Sequence, residues 1–261
     1  MVNSKFMYKI LANTIFLGKD VHFLPECHST NDTALKMVRE KKAQEGTIVI
    51  CENQTKGKGQ RGNTWMSEPG KNLTFSLVLR PDFLDISEQF YLNMTVSNSI
   101  RKLLQEYVPN LKVKWPNDLV IPGLGKIGGI LIENTFSGEG WENSVVGIGL
   151  NVNQLNFNTP GAISLSKLTG NQFDLEELFR LLVTQLEQGY ILLKKGKWNE
   201  IKAEYLHHLF LKDSLSKFSS EGKEFSGIIT GVSHEGKLEI SLQNGDQVFF
   251  GLKDVSFIDL P

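Results

Sequence analysis

Residues 57–62 read Gly57-Lys58-Gly59-Gln60-Arg61-Gly62, and the next regular stretch is Leu73-Thr74-Phe75-Ser76-Leu77-Val78-Leu79-Arg80. That order constrains the fold more than any other feature of the chain. The spelling fits the G-x-G-x-x-G of dinucleotide-binding folds. That motif, however, needs a helix at its third glycine and an acidic residue after the next strand. Here Trp65, Pro69 and Gly70 intervene and the following run has period two, so the loop joins two strands. Asn63-Thr64 stands where a P-loop carries Lys-Ser/Thr, and no kinase catalytic-loop or metal-binding signature follows. The remaining reading is an anion-binding loop, in which backbone N–H groups at Gly57, Gly59 and Gly62 stand beside Lys56, Lys58 and Arg61.

The cationic character is local. With 28 basic and 29 acidic residues the net charge is −1, so a phosphate role rests on this cluster and generic DNA binding is not expected. A chain of 261 residues can bury one large core and a small appended domain. Cys27 and Cys51 show no C-x-x-C spacing and the five histidines form no ligand pattern with them, which points to reduced thiols, no zinc and a cytoplasmic protein. No apolar run reaches the roughly twenty residues of a membrane span. Lys9 and Asn13 interrupt the first hydrophobic stretch, so no export signal is expected.

Ser29-Thr30-Asn31-Asp32 supplies N-cap residues ahead of Ala34, Leu35 and Val38, predicting a strand end that turns into a helix over 29–40. Helical spacing recurs over 87–107, and Pro109 stops it. Short β-rich runs over 111–115, 118–121, 127–134 and 144–153 predict adjacent strands of one sheet. Asp174 with Glu177 opens a long amphipathic helix that stops near Gly196, and a second helix follows over 198–209. Beyond Asp213, turns at Glu221-Gly222, Glu235-Gly236 and Asn244-Gly245 predict five short strands and a small closed barrel. The expected division is residues 1–212 and 213–261.

Five motifs stand in order: Ser29-Thr30-Asn31, the glycine-basic loop, Lys114-Trp115-Pro116-Asn117-Asp118, Lys126-Ile127-Gly128-Gly129-Ile130-Leu131-Ile132-Glu133, and Gly147-Ile148-Gly149-Leu150-Asn151-Val152-Asn153. This succession resembles the biotin protein ligases over nearly the whole chain from about Phe23 onward. The resemblance implies an α+β fold, with a mixed sheet like that of class II aminoacyl-tRNA synthetases, flanking helices and a small C-terminal β-barrel. It also implies activation of biotin by ATP with Mg²⁺, and transfer to a lysine of a biotin carboxyl carrier protein.

The resemblance carries residue roles with it. Ser29, Thr30 and Gln54 would hydrogen-bond the biotin ureido ring, with Asn31, Gly57, Lys58, Gly128, Gly129, Gly147 and Gly149 also at the biotin site. Lys126 would bridge the biotin carboxyl and the α-phosphate. Lys58, Gly59, Arg61, Trp65, Asn117, Lys126 and Asn151 would hold ATP or the adenylate. Asp118 would orient the incoming lysine amine and take its proton, because an ammonium is no nucleophile. Glu133 and Asn151 are the candidate Mg²⁺ oxygen donors. Plainer structural readings stand beside these: helix capping for Ser29 and Thr30, an Asx turn for Asn117-Asp118, core packing for Trp65, and tight strand crossing for Gly147 and Gly149.

Two features depart from the family pattern. Its loop commonly has arginine where Lys58 and Gln60 stand here, leaving Arg61 as the candidate replacement cation. The stretch Ile121-Pro122-Gly123-Leu124-Gly125 reads as a slightly long loop ahead of Lys126. A lipoate ligase or octanoyl transferase is the nearest rival, but the Arg-Arg-x-x-Gly-Gly-Gly type of loop is absent. A non-catalytic biotin-sensing regulator is another class. About 22 residues precede the core, against the about 60 of a helix-turn-helix unit, so a ligase without direct DNA binding is expected, as monomer or homodimer.

Overall fold

A computed structural model describes residues 13–138 and 140–258, with the side chain of Arg61 excepted. The signal-region reading at Lys9 lies outside them. Strand β1 (Val21–Cys27) runs into helix α1 (Thr30–Arg39), and β2 (Ile48–Gln54) returns parallel to β1. After the basic loop come β3 (Leu73–Leu79), α2 (Phe90–Leu104), β4 (Lys112–Lys114), β5 (Asp118–Ile121), β6 (Gly125–Ser137) and β7 (Gly140–Leu150). These strands form a seven-stranded mixed sheet in the order β1-β2-β3-β7-β6-β5-β4. Short helix α3 (Leu165–Thr169), long α4 (Leu175–Lys194) and α5 (Trp198–His207) follow.

Period-two patterning divides the sheet into two faces. Leu73, Phe75, Leu77 and Leu79 of β3 point one way, into a core shared with Leu92, Val96 and Ile100 of α2 and Phe179, Leu182 and Leu186 of α4. Phe75 meets Phe179 edge to face, with centroids 5.2 Å apart. Each such fully buried side chain is worth about 1.5–3 kcal/mol of transfer free energy, so the two long helices are anchored by this face. The opposite face carries a smaller cluster, in which Ala34 of α1 sits on Val49, Val78 and Val145. Helix α1 covers only part of that face. The functional candidates occupy the remainder.

A separate five-stranded antiparallel sheet, β8 (Leu215–Ser220), β9 (Lys223–Val232), β10 (Leu238–Leu242), β11 (Gln247–Phe250) and β12 (Ser256–Phe257), stands where the sequence predicts the small barrel. Its order is β11-β10-β9-β8-β12, and among the described residues no ladder joins β11 to β12. Phe225 stacks on Phe218 and Phe250, and Phe257 meets Phe218 edge-on. Trp115 ties it to the larger sheet by donating its indole N–H to the Gly236 carbonyl at 2.9 Å. The slightly long loop expected before Lys126 folds as a turn between β5 and β6: Leu124 N–H bonds the Ile121 carbonyl, Gly123 adopts φ +75°, and Ile121 pairs with Gly125. Because glycine tolerates the left-handed region, three residues suffice to reverse the chain.

Candidate active site

Strand register sets the floor of the site. Asp118 pairs with Gly129, Gly129 with Gly149 and Gly149 with Thr74, so these four share one face in a single cross-strand row. Two residues along, Leu131, Gly147, Ser76 and Val49 form the next row. Both rows lie on the α1 face, beside the N-terminus of that helix.

Gly147 and Gly149 are required by close packing. A Cβ on Gly147 would lie 2.2 Å from Asn31 Oδ1, and one on Gly149 would lie 2.4 Å from Cε2 of Trp65. The space above the two glycines is therefore occupied by side chains of this chain, not by an ordinary strand crossing. Trp65 lies flat on the floor with Lys126 Nζ 5.8 Å from its ring centroid, and its indole N–H is buried without a partner. The cavity left among Ser29, Gln54, Lys58, Lys126 and Gly149 is about 40 Å³, room for little more than water.

A polar chain runs from the helix N-terminus across the floor. Gln54 Oε1 accepts from the Thr30 backbone N–H at 2.8 Å and lies 3.1 Å from its hydroxyl. Ser76 Oγ is 2.7 Å from Thr30 Oγ1 and 2.6 Å from Asn31 Oδ1, and Asn31 donates to Glu133 Oε2 at 2.8 Å. Ser29 occupies the N-cap position of α1, yet its side chain makes no capping bond. Capping thus does not account for its hydroxyl. Ser76 and Asp32 are the residues that sequence reasoning missed. Ser76 is a buried hydroxyl in an otherwise apolar alternation, on the same strand face as Thr74, and that pattern was the available signal.

The basic loop is a small hairpin. Trp65 N–H bonds the Gly57 carbonyl at 2.9 Å, Lys58 bridges Thr64, Gly59 N–H bonds the Asn63 carbonyl at 2.7 Å, and a 3-10 turn over Gln60–Gly62 closes it. Contrary to expectation, the Gly59 N–H is consumed within the loop, because the hairpin pairs it with Asn63. Lys58 Nζ meets Asp32 Oδ1 at 2.5 Å, and this hydrogen bond raises the ammonium pKa above its ordinary value. The side chain of Arg61 lies outside the described residues.

Lys126 Nζ is 2.6 Å from Asp118 Oδ1, with the side chains 38% and 21% exposed. Ion pairs this open contribute about 0–1 kcal/mol, so an incoming anion can displace Asp118 from Lys126 at little cost. The same holds for Lys58 and Asp32. Asn117 donates its amide to the Ile130 carbonyl at 2.6 Å, fastening the turn before β5 to β6 while lining the cavity. Gly128 pairs with Leu150, and a Cβ there would crowd the Gly149 carbonyl oxygen at 3.0 Å and the Leu119 and Leu150 side chains at 3.3 Å.

Glu133 and Asn151 do not converge. Glu133 pairs with Val145, and six residues separate Val145 from Asn151, about 20 Å at a strand rise of roughly 3.3 Å. One ion cannot take both as ligands, so the two candidate Mg²⁺ donors are alternatives to one another. Among the described residues no three His, Cys, Asp or Glu side chains cluster as a metal site. Asn151 Oδ1 is buried without a partner, whereas Glu133 is engaged by Asn31.

Comparison with known proteins fits this geometry. The model of the Biotin/lipoate A/B protein ligase family matches residues 24–151, which contain the first four motifs and the fifth as far as Asn151. The chain is 30% identical over 232 residues to the bifunctional ligase/repressor BirA of Escherichia coli, covering 85% of this chain and 69% of that protein. It is 29% identical to the biotin--[acetyl-CoA-carboxylase] ligase of Paracoccus denitrificans, covering 87% of this chain and 99% of that one. The structure of the Aquifex aeolicus biotin protein ligase in complex with biotin and ATP superimposes with a TM-score of 0.76 at 25% identity, over 92% of this chain and 99% of that chain. Strand register, a lysine–aspartate pair over a glycine floor and these likenesses converge: the chain belongs to the biotin protein ligases of the biotin/lipoate ligase family.

Proposed function

We propose that the Lys126–Asp118 pair, set over the Gly129–Gly149 floor, is the centre at which this protein joins biotin to ATP and passes it to a carrier lysine. The observation that supports it is the 2.6 Å contact of these two side chains beside the Thr30–Gln54–Ser76 polar chain. The reaction has two steps. A biotin carboxylate oxygen attacks the α-phosphorus of ATP and pyrophosphate leaves, giving biotinyl-5'-AMP. The neutral amine of the carrier lysine then attacks the acyl carbon, and AMP leaves.

Each step makes a demand that these residues meet. The first brings a carboxylate against a polyphosphate, so cations must offset their repulsion. Lys126 and Lys58 serve when substrate anions take the places of Asp118 and Asp32. The second needs a proton acceptor, and Asp118, once released from Lys126, is placed to take the ammonium proton. Ser29, Thr30, Asn31 and Gln54 offer neutral donors and acceptors, which suit a ureido ring. Backbone at Gly57, Gly59, Gly128 and Gly129, with Asn117 and Trp65, completes the walls around biotin and the adenylate. Trp65 must leave the floor for substrate to reach Gly149.

Mg²⁺ bound with the triphosphate would be held by hard oxygen donors. Of the two candidates, the unpartnered Asn151 Oδ1 fits as a single protein ligand. The ion would neutralise phosphate charge.

The test is incubation with biotin, MgATP and a biotin carboxyl carrier domain, read by intact-mass spectrometry. One biotinyl addition to one lysine is expected. Equal or faster loading of lipoate would instead assign the protein to lipoate ligation.

A further inference from the structure

The polar chain beside the catalytic cavity is one proton short. Gln54 Oε1, Thr30 Oγ1, Ser76 Oγ and Asn31 Oδ1 lie in series, with successive separations of 3.1, 2.7 and 2.6 Å. Each contact needs a proton between its oxygens. Only the Thr30 and Ser76 hydroxyls supply one, because the end atoms of the series are amide oxygens.

The ends cannot turn round to make good the deficit. Asn31 gives its amide protons to Glu133 Oε2 at 2.8 Å and to the Leu131 carbonyl at 3.3 Å. A carboxylate only accepts, so Asn31 Oδ1 is held toward Ser76. Gln54 Oε1 accepts the Thr30 backbone N–H at 2.8 Å, which fixes that amide as well. The distances then locate the empty contact. At 2.6 and 2.7 Å the Ser76–Asn31 and Thr30–Ser76 contacts fall inside the usual O–H···O range of about 2.5–3.0 Å, whereas Gln54–Thr30 at 3.1 Å falls outside it. Ser76 therefore donates to Asn31, and Thr30 donates to Ser76. Thr30 Oγ1 and Gln54 Oε1 are left side by side with lone pairs and no proton between them.

Thr30 and Gln54 line the cavity, whereas Ser76 and Glu133 are not among its lining residues. Resting on the reading of this cavity as the biotin site, we infer that Ser76 and Glu133 are positioning residues for substrate selection. Acting through Asn31, they turn the Thr30 hydroxyl away from Gln54, so the two oxygens meet the substrate as acceptors. The group selected is a ring N–H, which a ureido ring has and a dithiolane lacks. Unmatched acceptors are costly, so the contact acts mainly as discrimination against rings without that N–H.

The test is calorimetric binding of biotin and of two isosteric cyclic carbamates, each with one ureido N–H replaced by a ring oxygen. The full-length protein should bind biotin at least about a hundredfold tighter than one of the carbamates, since that ring oxygen would face two acceptors. In Glu133→Gln the new amide can donate to Asn31, whose own amide then turns to donate to Ser76. The series reverses, Thr30 donates to Gln54, and the preference should fall to about tenfold or less. Ser76→Ala, which frees the Thr30 proton for Gln54, should lower it similarly. A purely structural role would weaken all three ligands by one factor, so a preference unchanged in Glu133→Gln would overturn the inference. Equal binding of biotin and both carbamates by the unsubstituted protein would do the same. Failure of that protein to bind biotin would instead overturn the reading of the cavity together with the inference.

Discussion

Replacing Lys126 by alanine separates chemistry from folding. Its partner is Asp118 at 2.6 Å, and with side chains 38% and 21% exposed the pair contributes about 1 kcal/mol at most to stability. The melting temperature of a chain this long should fall by less than about 4 °C. The catalytic loss is larger, because the ammonium is needed most as carboxylate and phosphate are forced together. Losing such a contact costs about 2–4 kcal/mol, or about 30- to 1000-fold in rate. Quenched-flow measurement of biotinyl-adenylate formation, with enzyme in excess and no carrier, reads that step alone. Asp118→Asn gives the complementary pattern: adenylation kept within about tenfold, with transfer to carrier slowed by about 10²–10⁴ through loss of the proton acceptor. Wild-type adenylation by Lys126→Ala would refute the reasoning and leave Lys126 a surface charge paired with Asp118.

Other perturbations probe other parts of the account. In Gly149→Ala the new methyl would sit 2.4 Å from the Trp65 ring, so the indole should be expelled from the floor; red-shifted tryptophan emission and biotin affinity at least about tenfold weaker are expected, and unchanged affinity would show that substrate does not lie on this glycine. Arg61→Ala should hasten escape of biotinyl-adenylate while Gln60→Ala does little, since a guanidinium chelates phosphate and an amide carries no charge; the reverse pattern in an intermediate-release assay would assign retention to neutral hydrogen bonds. His208 titrates at about 4 because burial, and then the Arg101 guanidinium, disfavour its charged form. With an unfolded value near 6.5, the unfolded chain binds the proton first, so stability present above pH 6.5 is lost as pH falls toward 4. The ceiling of about 3 kcal/mol falls to about 1–2 once solvent screening is allowed for. His208→Gln should flatten the melting-temperature slope in that window, and an unchanged slope would place the titration elsewhere.

Local chemistry made much of this molecule readable. Asp174 accepts from the Glu176 and Glu177 N–H groups, and α4 begins where that cap places it. The alternation of 73–79 correctly set the basic loop between strands. Features created by cross-strand register were not readable. Nothing near Ser76 in sequence reveals that it faces Gly147, or that Asn31 and Trp65 fill the space above the two glycines. Glu133 and Asn151 are alike in sequence as oxygen donors, yet antiparallel pairing sends them toward opposite ends of the sheet. Asp32 read as a helix-start residue until the loop folded back and brought Lys58 to it.

The central claim is that this site forms an acyl-adenylate from biotin, and release of pyrophosphate without any carrier protein tests it most directly. With enzyme, MgATP and biotin, a burst of about one pyrophosphate per site is expected, because the adenylate stays bound until a lysine amine arrives. Lipoate in place of biotin should give no burst. A lipoate burst equal to or larger than that with biotin, or no burst with biotin from folded protein, would contradict the account.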